Sequence, residues 1–278
     1  MADWLSAHEP MVRLGCFLAM LAAMALWERL APRRSLALPR ATRWFGNLGL
    51  MVLGSLAARL LVPVVATGVA LFAARTGSGL FNRLAAPAWV ALPVSVLVLD
   101  AAIYLQHLMF HAVPILWRLH LVHHADIDFD TTTGVRFHPI EILLSLSIKF
   151  AVILLLGPPV AAVILFEVLL NATALFNHGN VRLPPALDRR LRWLVVTPDM
   201  HRVHHSVHSD ETNSNFGFNL PWWDRLCGTY RDQPRDGHIA MTIGLREPRD
   251  PRRVARLPGM LRLPFSRGGA GYAIHQRD

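Results

Sequence analysis

"IEILLSLSIKFAVILLLGPPVAAVILFEVLLNATALF", residues 140–176, is an apolar run too long for one membrane crossing and broken at one point. A helix crosses a bilayer with about 20 mostly apolar residues. Gly157-Pro158-Pro159 cannot continue a helix, because proline lacks the backbone N–H and its ring clashes with the preceding turn. The run therefore predicts a helical hairpin with two arms of about 16–18 residues, at the short end for spanning. A hairpin returns the chain to the side it left. "HLVHH" (120–124) precedes it and "HRVHH" (201–205) follows it, so both are expected on one membrane face.

The rest of the chain agrees with a membrane protein. Of 278 residues, 53% are hydrophobic and only 17% charged, against about 25% in a typical soluble domain. Mean hydropathy is +0.34. Three further spans are expected, roughly Met11 to Leu30, Asn47 to Ala73 and Ala88 to His111. The N-terminus lacks the positive region of a cleaved signal peptide, so the first span reads as a retained anchor. The loop after it carries Arg29, Arg33, Arg34, Arg40 and Arg43, which the positive-inside rule places in the cytoplasm. Alternation then puts every clustered histidine, and the C-terminus, on that same side. Arginine-rich composition suggests a bacterial inner membrane. The net charge of +9 is explained by loops that meet anionic lipid, and no nucleic-acid motif is present. Cys16 and Cys227 have no metal or redox spacing.

The expected fold is thus an all-α integral membrane protein: three transmembrane helices plus the hairpin, under a cytoplasmic helical cap. Its divisions are N-terminal spans at 1–87, a catalytic region at 88–232 and an Arg/Pro/Gly-rich tail at 233–278 with little core of its own. Trp222 and Trp223 are expected at the membrane–water interface.

Of 14 histidines, His8, His238 and His275 stand alone near the ends and read as solvated. Eight others form three boxes. "HLMFH" holds His107 and His111, four apart at the end of a span. His120, His123 and His124 form the second box, and His201, His204 and His205 the third. Residues at i, i+3 and i+4 share a helical face, so each box can aim its rings at one place. Eight imidazoles exceed the about four ligands of zinc and the about six of an octahedral metal, so the count implies two ions. Imidazole suits zinc, copper, iron and nickel, and alone does not choose among them.

With these boxes on the page, the sequence resembles the sterol desaturase/fatty acid hydroxylase superfamily of integral membrane di-iron enzymes. The resemblance rests on the His-x3-His box, on the two His-x2-His-His boxes, and on "DAAIYLQHLMFH", "TGVRFHPIE", "FNHGNVRLP" and "TNSNFGFNLPWWDRLCGTY", in order over residues 90–232. Cys227 departs from the family's usual Phe, which reads as a packing change. The resemblance implies two Fe ions, O2 as co-substrate, and hydroxylation or desaturation of a sterol, fatty acyl or related lipid. It implies electrons from NAD(P)H through a ferredoxin or cytochrome b5-like donor with its reductase, since no dinucleotide fingerprint is present. It also implies ligands beyond the eight. His178 is the best candidate, because the hairpin brings it back to the same face; His138 and His208 are possible ligands or neighbours of ligands.

Carboxylates often accept the second N–H of a ligand histidine. Asp100, Asp126, Asp128, Asp130, Glu141 and Asp199 are candidates. Glu167 falls inside the second hairpin arm, where a charge is costly and suggests function, unless it pairs with Lys149. Breaking an unactivated C–H bond exceeds what side chains can do, so no catalytic residue is expected beyond the metal site. Two other readings compete: a histidine-rich metal-binding or metal-transport protein, and a zinc-using lipid enzyme on the same scaffold. Transport sites usually lie near the midplane on broken helices, whereas these histidines follow helix ends.

Overall fold

The computed structural model describes residues 8–266 and 271–274; His275 lies outside them. Among the described residues there is no strand, only two isolated bridges, Pro32 with Val181 and Ser206 with Ile243. The helices of the membrane part are α1 (Glu9–Leu30), α2 (Arg40–Leu61), α3 (Ala66–Thr76), α4 (Leu80–Arg83), α5 (Ala88–Ala112), α6 (Pro114–His124), α7 (Pro139–Leu156) and α8 (Val160–Asn177). Seven short helices build the cap: α9 (Pro185–Leu191), α10 (Pro198–His204), α11 (Ser209–Thr212), α12 (Trp222–Leu226), α13 (Gly237–Ala240), α14 (Pro251–Val254) and α15 (Leu257–Arg262).

Five segments are long and apolar enough to cross a membrane: Glu9–Leu30, Arg40–Arg83, Ala88–Ala112, Pro139–Leu156 and Val160–Asn177. Their outer faces leave large apolar side chains such as Leu14, Leu18, Leu60 and Leu155 exposed, which water would not tolerate over so wide a surface. The chain is an integral membrane protein. The hairpin forms as its sequence predicts. Gly157 ends α7 in the left-handed conformation (φ 65°), its N–H bonding the Ile153 carbonyl, and Pro159 starts α8.

Two expectations are corrected. The span at 47–73 is not one helix. It begins at Arg40, stops at Leu61, and resumes as α3 after Val62–Val65, where Pro63 removes a helical donor among three β-branched valines. The tail is not coreless. Leu245, Val254, Met260, Leu263 and Tyr272 pack with Leu50 of α2 and Trp117, Leu121 and Val122 of α6. Gly46 permits this approach, because a Cβ there would stand 2.3 Å from the Ala255 carbonyl oxygen.

Charged residues inside the bundle are paired. Lys149 Nζ lies 2.7 Å from Glu167 Oε1, and Arg13 bridges Glu167 and Glu9 at 2.9 and 2.8 Å. Thr67 donates to Glu9 at 2.6 Å. Two acids and two bases thereby cancel, tying α1 to both hairpin arms, which is how charge is tolerated in an apolar surrounding. Glu167 is thus an ion-pair partner rather than a neighbour of the histidines. At the other end of α1, Glu28 Oε1 accepts the N–H groups of Thr131 and Asn180 at 2.7 and 2.9 Å.

A second buried network lies beneath the cap. Arg43 donates through Nε and Nη2 to the two oxygens of Asp126 at 3.1 and 2.7 Å, and through Nη1 to Asp130. Arg136 donates to Asn47 Oδ1 at 3.0 Å, to the Val122 carbonyl at 2.7 Å, and to the Val254 carbonyl. Asn47 completes the layer by donating to Thr132 Oγ1 at 2.9 Å. This network joins α2 to the stretch just after the second histidine box.

Candidate metal centre

The last two turns of α5 present His107 and His111, α6 presents His120, His123 and His124, and α10 with its cap presents His201, His204 and His205. His178 caps the C-terminus of α8. All nine are at most 3% exposed. They divide into two groups whose ligand atoms lie within 4.8 Å of one another: His107, His111, His120, His124 and His204; and His123, His178, His201 and His205.

The division does not follow the boxes. Each i, i+4 pair (107/111, 120/124, 201/205) stays together, while His123 and His204 cross into the other group. Turning about 100° per residue, a helix cannot aim i+3 and i+4 at the same point with equal ease. The triads of α6 and α10 are therefore shared between the two groups.

Ring orientation tests whether a cation fits. His107 Nδ1 faces the Phe216 carbonyl at 2.8 Å, His204 Nδ1 that of Ser214 at 2.7 Å, and His178 Nδ1 that of Ala174 at 2.8 Å. A carbonyl only accepts, so each Nδ1 carries the hydrogen, and each Nε2 of a neutral ring is a bare lone pair. Yet His107 Nε2 and His204 Nε2 stand 3.0 Å apart, face to face. His178 Nε2, bare for the same reason, faces those of His123 and His201 at 3.2 and 3.1 Å, two rings whose Nδ1 atoms have no hydrogen-bond partner among the described residues. Opposed lone pairs repel unless a cation sits among them. Nitrogens on adjacent corners of an octahedron, each about 2.1 Å from one ion, stand about 3.0 Å apart. His205 has no hydrogen-bond partner on either nitrogen among the described residues. An unsatisfied buried polar group costs about 1–3 kcal/mol, so the arrangement is unfavourable without a ligand. The residues present fit two metal ions.

Burial keeps the rings neutral, as ligation requires. It pushes His120 and His178 down to about 3. His123, His124, His201, His204 and His205 lie well below the ordinary histidine value, through burial first and then mutual repulsion.

Surrounding groups orient the rings. Glu141 Oε1 lies 2.6 Å from His120 Nδ1, and Asn213 Oδ1 3.1 Å from His111 Nδ1. Phe137 stacks on His123 (4.6 Å, 9°), and Trp117 packs against His111 and His124. Asp224 accepts the N–H groups of Phe216 and Gly217, both at 2.8 Å, which fixes the carbonyl that holds His107. Sequence reasoning missed Asp224 and Asn213. Both lie in the "NSNFGF…WDRL" stretch, whose density of short polar residues around Gly217 was the available signal.

Other expected neighbours are placed elsewhere. Asp100 accepts Trp223 Nε1 at 2.8 Å and the Leu220 N–H at 3.3 Å, so it anchors the loop before α12. Asp199 forms a two-pronged pair with Arg33 at 3.1 and 2.9 Å and also meets Arg202, because its short side chain on the first turn of α10 points outward to the basic loop. Asp126 and Asp130 belong to the Arg43 network, and Asp128 accepts the N–H groups of Ala37 and Leu38. His138 caps α7, accepting the Ile140 N–H at Nδ1, and its Nε2 faces the Leu261 carbonyl. His208 meets Asp236 at 3.0 Å. Neither histidine joins a group. His238 is not solvated: it is buried, 3.1 Å from Gln233 Oε1 and 3.7 Å from Asp199.

Comparison with known proteins agrees with this site. The fatty acid hydroxylase family profile matches residues 92–229, which include all nine grouped histidines. An ornithine lipid hydroxylase of Rhizobium tropici is 31% identical over 180 residues, 63% of this chain and 50% of that protein. Alkylglycerol monooxygenase of Xenopus tropicalis is 30% identical over 136 residues, 47% of this chain and 28% of that protein. The human alkylglycerol monooxygenase is 28% identical over the same length. The chain thus matches half or less of these relatives' own length. No solved structure matches it.

Proposed function

The chain belongs to the sterol desaturase/fatty acid hydroxylase superfamily, and on that premise we propose that it is a membrane-bound, O2-dependent di-iron oxidoreductase that hydroxylates or desaturates a lipid. The observation that carries the reading is the set of nine buried imidazoles, in groups of five and four, with the bare Nε2 lone pairs of His107 and His204 turned toward one another. His107, His111, His120, His124 and His204 would hold one iron, and His123, His178, His201 and His205 the other. Bound there, the irons would supply the O2 chemistry that cleaves an unactivated C–H bond.

The protein's own work is to position and exclude. The Phe216, Ser214 and Ala174 carbonyls keep hydrogen on Nδ1 of His107, His204 and His178, so that Nε2 would be the atom offered to metal, and Glu141 holds the His120 ring in place. Phe218 packs with Leu99, Ile103 and Phe166 in the core of the bundle, and its ring lies 5.3 Å from His107 and 6.0 Å from His201. A lipid carbon arriving from the bilayer would reach the metals past Phe218, with water kept out by the same apolar layer. Electrons would come from NAD(P)H by way of a ferredoxin or cytochrome b5-like protein.

Arg33 and Arg34 support the choice of a cytoplasmic face. Arg33 pairs with Asp199, and Arg34 donates to the His238 and Met241 carbonyls, so the basic loop and the histidines share one end of the bundle. By the positive-inside rule that end is cytoplasmic, in a bacterial inner membrane. The substrate would be a membrane lipid, as the names of the relatives suggest.

Metal analysis of purified protein, with O2 uptake upon reduction and mass spectrometry of the lipids, tests this reading. Two irons per chain and an oxidised lipid are expected. Zinc in protein grown with ample iron, together with no O2 uptake, would overturn it.

A further inference from the structure

Part of the cap reaches down the side of the membrane bundle. His107 and His111 sit in the last two turns of α5, whereas Asp100 stands in the middle of its 25 residues. At about 1.5 Å per residue, Asp100 lies about 10 Å deeper in the span than His107. Trp223 of α12 is tied at that depth, its Nε1 donating to Asp100 Oδ2 at 2.8 Å. The same holds on α8. Thr173, about 8 Å before His178 along that helix, donates to Asn219 Oδ1, and Asn177 donates to the Phe218 carbonyl at 2.9 Å. The stretch 218–223 is therefore strapped along two spanning helices, deeper than the histidines.

The residues after α9 pack on this strap. The Val196 N–H donates to the Asn219 carbonyl at 3.0 Å, Trp222 Nε1 to the Trp193 carbonyl at 2.7 Å, and Arg225 Nη2 to the Arg192 carbonyl at 3.2 Å. The outward face so formed is apolar: Trp193 is 60% exposed, Leu194 64% and Leu226 76%, with Trp222 exposed beside them. Its one cation is covered, because the Arg225 guanidinium stacks 3.9 Å from both the Trp193 and the Tyr230 ring. Arg189 and Arg190, on the helix just before Trp193, are exposed. A soluble partner does not reach a surface tied to the middle of a spanning helix. Lipid does, since Val98 and Leu105 of α5 and Leu169 of α8 are exposed on those helices.

We propose that the face of the cap formed by Trp193, Leu194, Trp222 and Leu226 is sunk in the membrane leaflet on the histidine side. Its apolar side chains and indole rings meet acyl chains, and Arg189 and Arg190 meet anionic headgroups. The cap is then anchored twice, by the tail on α2 and α6 and by this foot in the lipid beside α5 and α8. The inference is independent of the metal centre and of the reaction assigned to it.

The test uses the full chain in vesicles of phosphatidylglycerol and phosphatidylcholine, carrying one nitroxide label at a time. Native Cys227, exposed at the end of α12, is labelled in Cys16→Ser, which leaves the face unaltered. Leu194→Cys and Leu226→Cys are labelled with both native cysteines replaced by serine. Thr242→Cys is the reference, exposed beside Met241, whose carbonyl Arg34 of the basic loop holds. Collisions with O2, which concentrates among acyl chains, are compared with collisions with a water-soluble nickel chelate. The labels at Leu194→Cys, Leu226→Cys and Cys227 should read about 5–10 Å below the lipid phosphates, and the label at Thr242→Cys outside them. Nickel collisions at the three foot positions equal to those at Thr242→Cys would overturn the proposal. Shielding of the three from both reagents would overturn it too, since that marks burial against protein rather than lipid.

Discussion

Two buried polar regions meet at Asp126, two residues after His124, and they are built on opposite principles. Around Arg43 and Arg136, cations face carboxylates, carbonyls and hydroxyls, and the layer is complete without a ligand. Burial raises the Asp126 carboxyl, yet Arg43 and Arg136 outweigh it and bring it down to about 2. Among the histidines, acceptors face acceptors. Nothing in the chain resolves the contact between His107 and His204, because both Nδ1 atoms already donate to carbonyls. The first region holds helices together; the second is stable only around something added. The contrast distinguishes a structural network from a site more sharply than burial does, because both are equally buried.

The largest expected effect comes from emptying the second region. His123→Ala or His204→Ala should abolish lipid oxidation while leaving membrane insertion intact, and should release the ion of the group each belongs to. Full lipid oxidation by either variant would contradict the assignment. Next, Arg43→Ala should cost about 3–5 kcal/mol in unfolding, because buried Asp130 would lose its ion pair and Asp126 would keep only Arg136, 4.0 Å away. A cost under about 1 kcal/mol, the level of an exposed pair, would erase the contrast.

Glu141→Gln leaves both regions intact but changes what holds His120. Metal affinity, read by chelator competition, should fall by about 10–100-fold; unchanged affinity would reduce Glu141 to a packing role. The smallest effect is expected at Asp199. Burial raises its carboxyl, but Arg202, His238 and Arg33 outweigh that and hold it below the ordinary value. Its pairing therefore stabilises the fold above about pH 3.9 and is lost as pH falls through the folded value. Asp199→Asn should cost about 1 kcal/mol or less near pH 7 and nothing in strong acid. An equal cost at both would show that the contact is not ionic.

The hairpin and the eight boxed histidines were legible because each depends on local signals, Gly-Pro-Pro within an apolar run and helical spacing of one residue type, while His178 came only with the family resemblance and the return of the hairpin. Which histidine shares a group with which was not legible, since it depends on how α5, α6 and α10 are turned toward one another. Proximity in sequence misled for Asp199, two residues from His201 yet facing Arg33, while Glu141, 21 positions from His120, reaches its ring. The pairing of Arg43 with Asp126, 83 positions away, leaves no local trace, and neither does the packing of the tail against α2 and α6. The break at Val62–Val65 was visible as Pro63, but an apolar run on both sides hid it.

The crossing of His123 and His204 between groups governs the order in which the protein can mature. A single helix offers at most a pair of imidazoles to one group, and His107 and His204 are 97 positions apart. A chain whose spans have inserted but whose cap has not yet settled would hold four of the first group's five imidazoles, on α5 and α6, but only His123 and His178 of the second. The second group would therefore be completed last, when α10 brings His201 and His205 to it, and its filling would report that the cap has settled. Because α6 and α10 would serve both ions, extracting one would loosen the walls of the other, and the pair is expected to leave together.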